Sequence, residues 1–192
     1  MSTYHTVLYL HFLSLFGGVG AATIMVLCSY RLRAATTLEQ AGPWGMLAGK
    51  TKNAFPIVVL GLFGTGAYMT SDVWTWDTGW IWPSIVGLAV IALQGPLLAG
   101  PRGEALKKAL MENGPGPLGD KPRKLARDPL MWTVTLANPA MVFAIAWNMT
   151  EKPGTFAAIA SIVIAYAVGA AVAMRFTRAP ALAEAPATRP AA

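Results

Sequence analysis

The chain has 192 residues, of which 55% are hydrophobic and 12% charged, with a net charge of +6. Soluble domains carry about 25% charged residues, so this balance points to a membrane protein and not to a large soluble core. The basic residues fall between apolar runs, where they act as topology signals and contacts for anionic lipid headgroups; a nucleic-acid partner is not expected.

Five apolar segments are expected to cross the bilayer as helices, at about 6–30, 54–70, 79–99, 130–149 and 154–176. Each approaches the ~17–25 residues that the hydrocarbon requires. The expected fold is all-α: a polytopic membrane helix bundle over residues 1–177, with an alanine- and proline-rich cytoplasmic tail at 178–192 expected to be disordered. No Lys or Arg precedes the first segment, whereas Arg31 and Arg33 follow it. That is the reverse of a cleaved signal peptide, so the segment reads as a retained helix. Its one cysteine, Cys28, excludes an intrachain disulfide and reads as a buried, inert thiol. The second segment is the shortest and carries Gly61, Gly64 and Gly66, a loose small-residue signal for close packing.

The loop before the third segment holds Asp72, Asp77 and four tryptophans, Trp74, Trp76, Trp80 and Trp82. Indole rings concentrate at headgroup level, so this reads as an aromatic belt. Trp82-Pro83 falls in the first turn of the third helix, where proline costs little because those amides lack intrahelical acceptors. The next loop carries seven basic residues between Arg102 and Arg127. Within it, residues 103–113 suggest a short interfacial helix, ended by Gly114-Pro115-Gly116-Pro117. Asp128-Pro129 reads as a cap followed by proline at the first helical position, opening the fourth helix. Lys152-Pro153 is expected to open the fifth in the same way.

Fourteen of the fifteen Lys and Arg residues, all but Lys152, fall on one side of this alternating arrangement. By the positive-inside rule that side is cytoplasmic, which puts the N-terminus outside and the C-terminus inside.

Two histidines are present, His5 and His11. His11 lies inside the first helix, and an ionisable residue at depth in a membrane is a functional-site candidate. Gly18, Ala22 and Met25 continue its face, leaving room for a neighbouring helix or a flat cofactor. The antiparallel order brings Met69 and Met149 to a similar depth. A His/Met pair is an axial set for haem b, and the same donors suit a soft metal such as Cu(I). The blander alternative is a histidine hydrogen-bonded to a neighbouring helix. Elsewhere, Asn138-Pro139 lies near mid-membrane and Gln94-Gly95-Pro96 near the inner end of the third helix. Pro139 frees the carbonyl of Thr135, which with the Asn138 amide would line a small polar site; packing kinks are the simpler reading.

Several short motifs together resemble a bacterial family of integral membrane proteins of unknown function, related to the copper-resistance protein D family and the HemJ-type protoporphyrinogen oxidases. They are Leu10-His11 with Gly17-Gly18, Pro56 with Thr65-Gly66-Ala67-Tyr68, Trp80, and Met149-Thr150-Glu151-Lys152-Pro153. The resemblance covers roughly residues 4–155. It implies a bacterial cytoplasmic membrane and a haem-linked histidine at His11. The HemJ-type enzymes also use an intramembrane lysine, and this chain has none, which argues against oxidase activity. Three functions follow as expectations: haem b binding through His11, a non-catalytic accessory or structural subunit of a larger membrane complex or homo-oligomer, and passage of copper or a small solute.

Overall fold

A computed structural model describes residues 3–178. The sequence 178–192, expected to be a disordered tail, lies outside the described residues from 179 onward. Among the described residues the chain is helical, with no strand. The helices are α1 (Thr3–Ala34), α2 (Leu38–Thr51), α3 (Ala54–Val73), α4 (Ile81–Gln94), a π-helical turn (Gly95–Ala99), α5 (Gly100–Glu112), α6 (Asp120–Leu125), α7 (Pro129–Glu151) and α8 (Thr155–Thr177). Five helical runs among the described residues are long and apolar enough to cross a membrane: Thr3–Ala34, Leu38–Val73, Ile81–Glu112, Asp120–Glu151 and Thr155–Thr177. Large apolar side chains along these runs point outward, such as Ile57 at 74% and Leu60 at 71% exposure. In water that would be a liability, but lipid is their natural solvent.

The helices extend beyond the apolar segments read from sequence. At the start of the second run, α2 occupies what was expected to be loop, capped by Thr37, whose side chain accepts from Gln40 N. The interfacial helix expected at 103–113 is α5, continuous with α4 through the π-turn. Asp128 caps α7 as expected, accepting from Met131 N at 2.8 Å. Lys152-Pro153 does not open the fifth span. Lys152 adopts the left-handed conformation (φ 52°) that closes α7, and Gly154 is the N-cap of α8. A left-handed residue just past a helix is a common C-terminal stop, and proline after it prevents continuation.

The spans pack through small residues. α7 is central, touching α1, α4 and α8. Its closest approach is to α8: a Cβ on Gly169 would stand 2.5 Å from the Ala137 Cα and 2.8 Å from the Leu136 carbonyl oxygen. Burying apolar side chains against each other gains little over lipid, so van der Waals contact between closely approaching backbones has to hold the pair. Against α4, α7 runs antiparallel with a readable register. A Cβ on Gly87 would stand 3.1 Å from Ile145, and Ile91 packs on a cluster that includes Met141.

At the basic end, α1, α2, α5, α6 and α7 share a small apolar cluster around Leu32, Ala41, Leu106, Leu110 and Met131. The loop after α5 is pinned there, with Leu38 N donating to Gly116 O at 2.9 Å and Leu118 N to Thr36 O at 2.8 Å. Gly116 sits at φ 99°, open to glycine but strained for other residues. The Glu39 carboxylate accepts from Gly116 N; its own backbone amide, the Thr37 hydroxyl and that N–H hold it below the usual carboxylate range. Arg102 pairs with Asp128 at 3.1 Å, and Lys52 pairs with Glu104. Arg33 donates to the Phe176 carbonyl at 2.7 Å, and the Phe176 ring stacks on buried Trp132 with centroids 4.6 Å apart.

At the opposite end the tryptophans divide. Trp74 packs edge-on against buried Trp80, with centroids 6.0 Å apart, and Lys152 lies over the Trp74 ring. Trp76 and Trp82 face outward, at 39% and 55% exposure, as belt residues do.

Gly169→Val should lower the stability of the detergent-solubilised protein by about 2–3 kcal/mol, because neither neighbouring atom is the mobile end of a side chain. Gly49→Val, in open space on α2, should shift it by less than about 0.5 kcal/mol. Thermal unfolding of the two variants side by side checks this; equal losses would contradict the packing account.

Candidate functional site: a histidine in the seam between α1 and α3

The α1–α3 seam is built of successive rungs. A Cβ on Gly18 would stand 2.8 Å from Val58, and one on Gly61 would collide with the Ser14 hydroxyl. The next rung is His11 with Thr65, joined Nδ1 to Oγ1 at 2.8 Å. Gly18, Ser14 and His11 are four and three residues apart, which keeps them on one helical face. The histidine is 6% exposed.

The hydrogen bonds fix the imidazole tautomer. Thr65 Oγ1 lies 2.5 Å from the Gly61 carbonyl oxygen. A carbonyl only accepts, so the single hydroxyl proton goes there. Thr65 must then accept from His11, and the relay reads His11 Nδ1–H to Thr65 O–H to Gly61 C=O. The relay puts a proton on Nδ1, and in the neutral form of the ring Nε2 then keeps the lone pair. The Leu62 backbone carbonyl also accepts from the ring, and Thr65 is its one side-chain partner among the described residues. A hydroxyl or carbonyl orienting one ring nitrogen while the other stays free is how proteins set a histidine for a metal. Gly66 lies along the same ring edge, since a Cβ there would stand 3.6 Å from Cε1.

Met69 is buried and stands one turn beyond Thr65 on α3, toward the tryptophan end. Spacing of four residues keeps it on the seam face, about 6 Å along the axis. Met149 lies elsewhere: it packs on the cluster of Trp80, Ile81 and Ala158, between α4 and α8. His5 stands beside Tyr4, with ring centroids 5.9 Å apart. Asn138 and Gln94 sit on α7 and α4, away from His11, and Pro139 lies within α7 without ending it. Cys28 is fully buried on α1. No group of three or more His, Cys, Asp or Glu side chains placed to hold a metal occurs among the described residues.

Two contributors, Thr65 and Ser14, were not candidates from sequence. Thr65 entered only as part of a family motif. Its signal was present, though, as the third member of a set at helical spacing (Val58, Gly61, Thr65) that runs antiparallel to Gly18, Ser14 and His11. No known family profile, curated protein or solved structure matches this chain.

Thr65→Val removes the acceptor and strands a buried N–H. It should destabilise the protein by about 1–2 kcal/mol, whereas Thr65→Ser, which keeps the hydroxyl, should cost less than about 0.5 kcal/mol. Thermal unfolding in detergent measures both, and equal behaviour of the two variants would contradict the relay.

Proposed function

We propose that this chain is a multi-pass protein of the bacterial cytoplasmic membrane that binds a soft metal ion, of the Cu(I) type, through His11 Nε2. The observation carrying this reading is the relay that holds the proton on Nδ1 and leaves Nε2 as a donor inside an apolar bundle. The thioether of Met69, one turn along the seam, is the second donor. Nitrogen and thioether ligands suit Cu(I), and a bare ion needs little space.

The residues do not fit a haem b at this position. Gly18, which the sequence offers to a neighbouring helix or a flat cofactor, is taken up by Val58, and Gly61 beside it by Ser14. A histidine that is 6% exposed and packed against Thr65 and Gly66 favours a small ion over a macrocycle, so no role is derived for haem. In orientation, the concentration of Lys and Arg at one end supports a cytoplasmic basic end and an outer N-terminus. His11 and Met69 then lie in the outer half of the membrane.

Purified protein, loaded with Cu(I) under reducing conditions and washed, should retain about one copper per chain. His11→Ala should lose it while keeping its helical circular dichroism, and Met69→Leu should weaken it. Copper retained unchanged in His11→Ala would overturn the proposal. So would a reduced-minus-oxidised spectrum with a haem band that depends on His11.

A further inference from the structure

A second polar layer lies in the α4–α7 seam, away from His11. Gly87 meets Ile145, and Ile91 packs on the cluster of Met141, Ala144 and Ile162. With α7 also touching the π-helical turn, these contacts point to an antiparallel register, in which each step up α4 matches a step down α7. Gln94 lies seven residues after Gly87, and Asn138 seven before Ile145. Seven residues are almost two full turns, so both stay on the seam face and fall in one rung. In the other direction the same register pairs Ser84 with Asn148, both buried.

The two polar rungs differ in one respect. The Asn148 carboxamide and the Ser84 hydroxyl are met: Nδ2 of Asn148 donates to Ala158 O at 3.2 Å, its Oδ1 accepts from Ser161 at 2.9 Å, and Ser84 donates to Trp80 O at 2.8 Å. In the Gln94–Asn138 rung, Oε1 of Gln94 and Oδ1 of Asn138 are both buried with no hydrogen-bond partner. The backbone is also broken there. The π-helical turn starts at Gly95, with Gly100 N donating to Gly95 O, and contains Pro96. Pro139 interrupts the ladder of α7 directly after Asn138. Each proline leaves a carbonyl without its usual donor, and π-turns concentrate at functional positions. An acceptor left unmet in hydrocarbon costs several kcal/mol.

We propose that the Gln94–Asn138 rung is a hydrated site within the bilayer, where bound water bridges α4 and α7 by donating to the two carboxamide oxygens. Water fits the chemistry: the rung offers two neutral carboxamides whose oxygens are unmet, and no charge to balance a cation. The site would wet the junction where α4 passes through the π-turn into α5, at the basic half of the bundle. It does not depend on the metal reading of His11.

Hydrogen–deuterium exchange of the wild-type chain in detergent reads this directly. Amides of Leu97 to Ala99 and of Ala140 should exchange about ten-fold faster than those of Leu88 to Ile91, since exchange needs water at the amide. As a second measurement, cysteines are placed singly in a Cys28→Ala background. Thiols in Gln94→Cys and Asn138→Cys should react with an aqueous thiosulfonate about ten-fold faster than in Ile91→Cys and Met141→Cys, because only the hydrated thiolate reacts. Equal protection across both stretches, or equal labelling in both rungs, would overturn the proposal. So would exchange at the π-turn that slows when sodium replaces choline, the signature of a bound cation.

Discussion

Close approach of backbones is the constraint on which this bundle rests. Lipid already solvates leucine and phenylalanine, so two helices associate only where small residues let them touch. Gly169 against Ala137 does this for α7 and α8, and Gly18 and Gly61 do it for α1 and α3. Because these seams are tight, any polar side chain within them must find its partner across the seam or be left unmet. The positions of His11, Asn148, Gln94 and Asn138 follow from that rule.

His11 is the case in which the partner is found. Thr65 takes the Nδ1 proton and passes its own to Gly61. The same closeness that makes the relay possible fills the seam with its own side chains, Val58 over Gly18 and Ser14 over Gly61. At the basic end, water-facing chemistry takes over, with ion pairs such as Arg102–Asp128 and the pinned Gly114–Gly119 loop joining helices that touch little elsewhere.

The spans were legible because apolar length and alternating charge are properties of single segments. The Asp128 cap was legible for the same reason. Lys152-Pro153 was misread because a proline following a basic residue marks either the end of one helix or the start of the next. Only the left-handed backbone at Lys152 decides between them. α2 was missed because Pro43, Gly42 and Gly45 lower its helical signal; packing of Ala41 and Trp44 on the basic-end cluster supplies what propensity does not. In the site, depth alone placed His11, Met69 and Met149 in one layer. Depth does not give azimuth, and Met149 turns toward Trp80. Thr65 was missed because the spacing that matches it to His11 has meaning only once α1 and α3 are known to share a seam.

The central claim is that His11 is a neutral imidazole protonated on Nδ1, with a free Nε2. Nitrogen NMR of the metal-free protein, labelled at histidine and assigned with a His5→Gln variant, tests it most directly. The account predicts a protonated Nδ1 signal and an unprotonated Nε2 signal for His11, with the Nε2 resonance moving on addition of Cu(I). A proton on Nε2, or a ring doubly protonated at neutral pH, would contradict it.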